Sequence, residues 1–274
     1  MKNILRINDG LNITIDELPF FGGKAAQQAM SKKDGFPVLN AFAISSLIYP
    51  EQVWFEKIKT YNTNQILNEL NQVILNSGIN LSDELHLLNA NSFSVRSSAT
   101  IEDIPEASFA GSFLTRLFVK PQEVPFAIYE VWKSGLEERV IKYSKDRGLT
   151  DKQIKVAVLI QPMINSHFAG VAFSHPIGYP EDNHIFISIV KGIGEPLVSG
   201  SVMGQNFWVE RLSYLLKKYE NSNDLHLLSH YMSDIAMMVE KLELIRNCPQ
   251  DIEFCFDQNF NLILLQNRPI TKAK

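Results

Sequence analysis

The sequence has little cysteine, little excess of either charge, and no long apolar run. Cys248 and Cys255 are its only cysteines in 274 residues, and their spacing is neither the Cys-x-x-Cys of redox and zinc sites nor part of a larger cluster. Both read as reduced thiols of a cytosolic protein. With 26 basic and 30 acidic side chains the net charge is −4, so no global field would recruit nucleic acid or an anionic membrane. Arg6, Asn8 and Asp9 break the N-terminal segment before a signal-peptide core could form, and no apolar stretch approaches the ~20 residues of a membrane span. What is present is core material, 45% hydrophobic and 10% aromatic, in a length that suits one body with two lobes.

The densest chemistry lies between Phe93 and Arg116. Arg96 is followed by the hydroxyls of Ser97, Ser98 and Thr100, the acidic pair Glu102 and Asp103, and the small-residue turn Ser108-Phe-Ala-Gly111. A guanidinium among hydroxyls and unhindered backbone N–H groups is suited to a polyphosphate, whose oxygens need converging donors. Farther upstream, Gly22-Gly-Lys24 leads into the helix formers Ala25 to Met30. A helix N-terminus carries free N–H groups and a partial positive charge, and Lys24 there can reach a phosphate. An ordinary glycine turn before a helix with a solvated lysine gives the same pattern.

Along the chain, residues 35–45 read as a strand, with Pro37 near its start. Residues 48–76 are mostly helical, turning at 61–64, and Ile66, Leu67, Leu70, Val73 and Ile74 mark a buried stripe. A short helix follows at 82–88 with Ser82 as its cap. A strand is expected at 114–119, one long helix at 121–145, and a buried strand at 155–164 whose polar exception is Gln161. That amide either bonds neighbouring backbone or edges a ligand pocket. Residues 169–174 and 185–190 read as adjacent strands, and 191–200 is too rich in glycine for a regular element. Within it, Glu195 is either a ligand or a rim carboxylate. A helix at 223–246 turns Leu228, Ile235, Met238, Val239, Leu242 and Ile245 inward.

The C-terminal segment predicts a hairpin. Asp251 to Phe256 alternates polar and apolar residues, Asp257 to Asn261 supplies a turn, and Leu262 to Arg268 returns. Pairing Phe256 with Ile263 sets Glu253 opposite Gln266 and Asp251 opposite Arg268, all four on one face. A carboxylate beside an amide oxygen suits Mg²⁺, which takes few protein ligands when nucleotide phosphates supply others. A surface ladder of polar cross-strand pairs would look the same.

Taken together, these segments resemble the nucleotide-binding domain shared by phosphoenolpyruvate synthase, pyruvate phosphate dikinase and rifampicin phosphotransferase. The resemblance covers nearly the whole chain and rests on the order and spacing of several motifs. These are Gly23-Lys24, Val95-Arg-Ser-Ser-Ala-Thr100, Ser108-Phe-Ala-Gly111, Gly170-Val-Ala-Phe-Ser174, Gly192-Ile-Gly-Glu195, Asp251-Ile-Glu253 and Leu265-Gln-Asn-Arg-Pro269. It implies an α+β, ATP-grasp-like fold with mixed or antiparallel sheets. Two lobes, about residues 1–110 and 111–274, would grip ATP between them.

It also implies roles. Lys24 and Arg96 are phosphate ligands, and Gly111 and Thr115 belong to a loop that closes over the phosphates. Gln161 lines the nucleotide pocket, with the backbone at Met163 as the adenine contact. Glu253 and Gln266 hold Mg²⁺, and Arg268 stabilises the transferring phosphoryl group. Asp251 and Glu195 stand in a second tier. The swivelling domain with its phosphorylated histidine has no counterpart in these residues, and Ser229-His230 lacks that motif's glycines and threonine. The expected partner is therefore a separate phosphohistidine carrier. The alternatives are a direct small-molecule kinase or ligase without a histidine relay, and a nucleotide-binding module without turnover.

Overall fold

The structure, a computed structural model, describes residues 2–50, 52–99, 113–138, 140–142, 155–175, 183–221 and 228–270. The chain divides into two compact units, Met1–Lys33 with Leu39–Met163, and Asp34–Val38 with Ile164–Lys274. The division expected near residue 110 is thus corrected to residue 163. The strands on either side of residue 110 pair with each other, which keeps both in the first unit.

The first unit is built on a five-stranded antiparallel sheet in the order β1-β2-β5-β3-β4. These strands are β1 (Ile4–Ile7), β2 (Ala41–Ile44), β3 (Phe93–Ala99), β4 (Thr115–Val119) and β5 (Val156–Pro162). β5 is central and covered on both faces, which is why it reads as an apolar run without alternation. On one face Phe42, Val95, Val158 and Ile160 join Trp132 in a single core. Trp132 comes from α5 (Val124–Ser134), and α3 (Thr63–Asn76) adds Ile66, Leu70 and Ile74. Asn62 and Gln65 start α3 with a reciprocal capping box, satisfying N–H groups that the helix leaves open. The opposite face of the sheet receives α1 (Gly22–Lys33).

Two helix expectations in this unit are corrected. The long helix at 121–145 is broken: a 3-10 turn, Pro121–Glu123, leads into α5, which ends at Ser134, and helix resumes at 138 and 140–142 beyond a turn at 135–137. In that turn Gly135 passes so close to β5 that a Cβ would lie 2.8 Å from Val156 Cγ2 and 2.9 Å from the Tyr49 hydroxyl. The short helix α2 (Gln52–Ile58) precedes α3. Next in the chain, α4 (Leu81–Leu88) places Asn80 at its N-cap without a side-chain bond, so Ser82 sits inside the first turn and caps nothing.

The second unit holds a six-stranded antiparallel sheet in the order β11-β10-β6-β7-β8-β9. Its strands are β6 (Phe168–Phe173), β7 (His184–Lys191), β8 (Gln205–Glu210), β9 (Leu216–Glu220), β10 (Gln250–Phe256) and β11 (Leu262–Pro269). One face buries Ala172, Ile187, Phe207, Ile252 and Phe254, and α6 (Met232–Arg246) packs on this sheet with Ile235, Met238, Val239 and Leu242 buried. Ile245, expected inside, is 43% exposed at the margin of that stripe in the last turn.

The segment Asp34–Val38 follows α1 directly yet belongs to the second unit. Arg246 pairs with Asp34 at 2.6 Å, Lys241 stands 5.0 Å from the Phe36 ring centre, and Leu264 N donates to Pro37 O at 2.9 Å. The strand expected over 35–45 is therefore split between units, and only Ala41–Ile44 is regular. Residues 191–200 contain one helical turn, Glu195–Val198, where none was expected. Both cysteines are free thiols, and burial pushes that of Cys255 up to about 12. Among the described residues no helix is long and apolar enough to cross a membrane.

Candidate functional site

In the first unit the candidate residues come from four separated stretches, and sheet register brings several of them together. Arg96 on β3 is the direct partner of Thr115 on β4 and of Leu159 on β5, while Ser94 is the partner of Gln161. Direct partners and two-residue steps share a face, so Arg96, Thr115 and Gln161 look the same way. That is the face on which α1 lies. Gln161 is 3% exposed, and its Nε2 donates to Gln28 Oε1 of α1 at 3.5 Å. Gln28 follows Lys24 by one helical turn and so lies on the same side of α1. Lys24 itself occupies the first turn, as expected.

Met163 ends this unit. Its N–H donates to Ser92 O at 2.9 Å, so that group is already committed. Gly111 lies outside the described residues, as do Thr100, Glu102, Asp103 and Ser108.

In the second unit the candidates form one hairpin. Glu253 is the direct partner of Gln266, and Asp251 of Arg268. The face assignment expected from the sequence holds, although the pairing that suggested it does not. Phe256 meets Leu262 instead of Ile263, and a bulge between Glu253 and Phe254 takes up the extra residue, Leu265. The four polar residues also share their face with Val171 and Phe173 of β6, on the side of the sheet opposite the buried Ile252 and Phe254.

Arg268 Nε donates to Asp251 Oδ2 at 2.6 Å, with the guanidinium half exposed and the carboxylate buried. Burial raises the pKa of Asp251, nearby Arg268 counters that rise, and the charge of Glu253 adds to it. The Asp251 carboxylate thereby fixes the direction of the Arg268 side chain.

The donor set fits magnesium. Among the described residues no group of three or more His, Cys, Asp or Glu could hold a metal ion. Glu253 and Gln266 place a carboxylate and a carboxamide oxygen side by side, the small oxygen set that Mg²⁺ accepts beside phosphates. Glu195 is exposed in its helical turn and makes no ion pair among the described residues. His230 sits exposed in a 3-10 turn, Ser229–Tyr231, just before α6. Two further residues belong to this setting, Gln28, which the sequence reading passed over, and Ser98, to which it gave no role of its own. The first was legible only as the residue one turn beyond Lys24, the second only as one hydroxyl of the Arg96 motif.

Comparison with known proteins shows the family. Residues 18–274 match the family described as pyruvate phosphate dikinase, AMP/ATP-binding domain, and the chain belongs to that family. Among curated relatives, it is 31% identical over 205 residues to the probable phosphoenolpyruvate synthase of Archaeoglobus fulgidus, covering 66% of this chain and 27% of that protein. The corresponding protein of Methanothermobacter thermautotrophicus is 25% identical over 309 residues, 93% of this chain and 44% of its own length. The rifampicin phosphotransferase of Streptomyces sviceus is 32% identical over 206 residues, 65% of this chain and 23% of its own. The chain thus spans from about a quarter to under half the length of these relatives. Among solved structures, D-alanyl-alanine synthetase A from Vibrio cholerae covers 92% of this chain, and 57% of its own, at 11% identity and a TM-score of 0.42.

Proposed function

We propose that this chain binds Mg-ATP and transfers a phosphoryl group from it to a histidine of a separate carrier domain or protein. The observation that carries the reading is the β10–β11 hairpin, which sets Asp251, Glu253, Gln266 and Arg268 in facing pairs on one side of a sheet. Membership of an AMP/ATP-binding family over residues 18–274 supplies the nucleotide. The resemblance implies an ATP-grasp-like fold, and each of the two units is α+β.

In this reading Lys24 and Arg96 neutralise phosphate oxygens, with Thr115 beside Arg96 by register, and Gly111 is assigned to the same phosphate set. Gln161 lines the nucleotide pocket. Because the Met163 N–H is held by Ser92, an adenine contact at Met163 falls to its carbonyl. Glu253 and Gln266 would hold the Mg²⁺, which when bound would draw charge from the phosphate oxygens. Arg268, aimed by Asp251, stabilises the phosphoryl group in flight. The attacking imidazole nitrogen gains the phosphorus as the phosphoanhydride P–O bond breaks, and the departing nucleotide oxygen keeps the electron pair. Little covalent chemistry falls to the protein in such a transfer, so positioning and charge neutralisation supply most of the rate. Glu195 is assigned a place at the rim.

The test is incubation with β- and γ-labelled ATP, Mg²⁺ and candidate carrier proteins, following which protein takes up label and whether AMP or ADP is released. Acid-labile label on a carrier histidine is the expected outcome. Release of ADP with label passing straight to a small molecule, and no phosphohistidine on any protein, would replace the relay with a direct kinase.

A further inference from the structure

We infer that Ser98 is a positioning residue, setting the spacing between Lys24 and Arg96; the inference rests on the reading of those two side chains as phosphate ligands. Ser98 is fully buried on β3, two residues beyond Arg96 and on the same face. Its Oγ accepts the N–H of Ala25 at 3.0 Å, and Ala25 is the residue after Lys24 in the first turn of α1. One strand thus carries one cationic ligand and, two residues along, the hydroxyl that holds the helix bearing the other.

A second observation at the same junction shows how closely the helix is seated. Gly22, the first residue of α1, has φ +70°, and a Cβ there would lie 1.9 Å from the Ser98 carbonyl oxygen. No side chain fits in that gap, and a left-handed backbone favours glycine in any case. The start of α1 is therefore pressed on the backbone of Ser98 at one residue and hydrogen-bonded to its side chain three residues later. β3 is in turn fixed by its pairing with β5 from Phe93 to Ala99. Rotation or sliding of α1 would break the Ser98–Ala25 bond, leave a buried donor unsatisfied, and move the root of Lys24 relative to Arg96.

A role limited to stability predicts that losing the hydroxyl lowers the melting temperature and affects every nucleoside ligand alike. A positioning role predicts a loss confined to ligands with a phosphate chain. The experiment measures binding of Mg-ATP and of adenosine by calorimetry for the wild type, Ser98→Ala, Lys24→Met and the double variant. The expected result for Ser98→Ala is a loss of roughly fivefold or more in ATP affinity, an unchanged adenosine affinity, and no further loss when it is added to Lys24→Met. Ser98→Cys, whose slightly larger thiol is a weaker acceptor, gives the same split at smaller size and serves if the alanine variant folds poorly. ATP and adenosine affinities that fall by one common factor, or that both stay at the wild-type value, overturn the inference. Unchanged ATP affinity in Lys24→Met removes Lys24 from the phosphate ligands and the positioning role of Ser98 with it.

Discussion

The two units assemble their candidate ligands in opposite ways. In the first, Lys24, Arg96, Thr115 and Gln161 come from a helix start and three strands spread over most of the unit's sequence, and packing of α1 on the sheet brings them to one face. In the second, Asp251, Glu253, Gln266 and Arg268 come from two consecutive strands, and pairing register alone aligns them. The first set joins two cations to a hydroxyl and an amide; the second pairs carboxylates with an amide and an arginine. A site assembled by packing responds to changes far away in sequence, whereas a hairpin site is sensitive mainly to its own register.

This contrast can be tested by asking which measurable each set moves. The largest effect expected is from Arg268→Ala, which should slow phosphoryl transfer by about a thousandfold while ATP affinity stays near wild type. A variant that transfers at the normal rate would take Arg268 out of the mechanism. Next, Lys24→Met or Arg96→Met should weaken ATP binding by roughly tenfold to a hundredfold through loss of charge-assisted bonds, as read by titration calorimetry. If these two variants bind ATP normally and fail only in transfer, the division of labour between the units is wrong.

A smaller shift is expected for Glu253→Gln. It should raise the Mg²⁺ concentration needed for half-maximal ATP binding by roughly tenfold, and an unchanged Mg²⁺ requirement would leave the hairpin as a polar ladder.

The smallest effect concerns the pH dependence of stability. Burial holds the Asp251 pKa above its usual value and Arg268 offsets part of that rise, so Arg268→Ala should raise it further. A carboxyl raised in the folded state favours folding at low pH, and that contribution is lost as pH rises through the folded pKa. The variant should therefore match wild type below about pH 4 and become less stable as pH rises towards neutrality. The difference should reach about 1 kcal/mol, after allowance for the half-exposed guanidinium. Urea denaturation at pH 4 and pH 7 checks this, and an equal loss at both would show that Arg268 acts through something other than the Asp251 charge.

Legibility followed the same division. Local signals read well: the capped stripe of α3, the apolar run of β5, the hairpin face with its four polar residues. Four strands went unread, β3 among them because its stretch was read for its phosphate chemistry alone. β1 is four residues long, and β8 and β9 form a sheet margin where Trp208 and the exposed Lys217 and Lys218 dilute the alternation. The hairpin shows how a correct face can come from an offset pairing. The bulge at Leu265 restores at the polar end the register that the turn end had shifted by one.

By itself, the sequence marked the candidate residues for phosphate and magnesium, because residue type, two-residue alternation and turn chemistry are local properties. It also carried the family motifs, which span both units. Tertiary structure decided where the chain divides, sending Asp34–Val38 to the second unit through an ion pair with Arg246 and a bridge to Leu264. It also decided how Lys24 approaches β3, through the contacts that Gly22 and Ala25 make with Ser98. Both depend on partners 73 residues or more away in sequence, and no periodicity within a single element records which distant partner will be chosen.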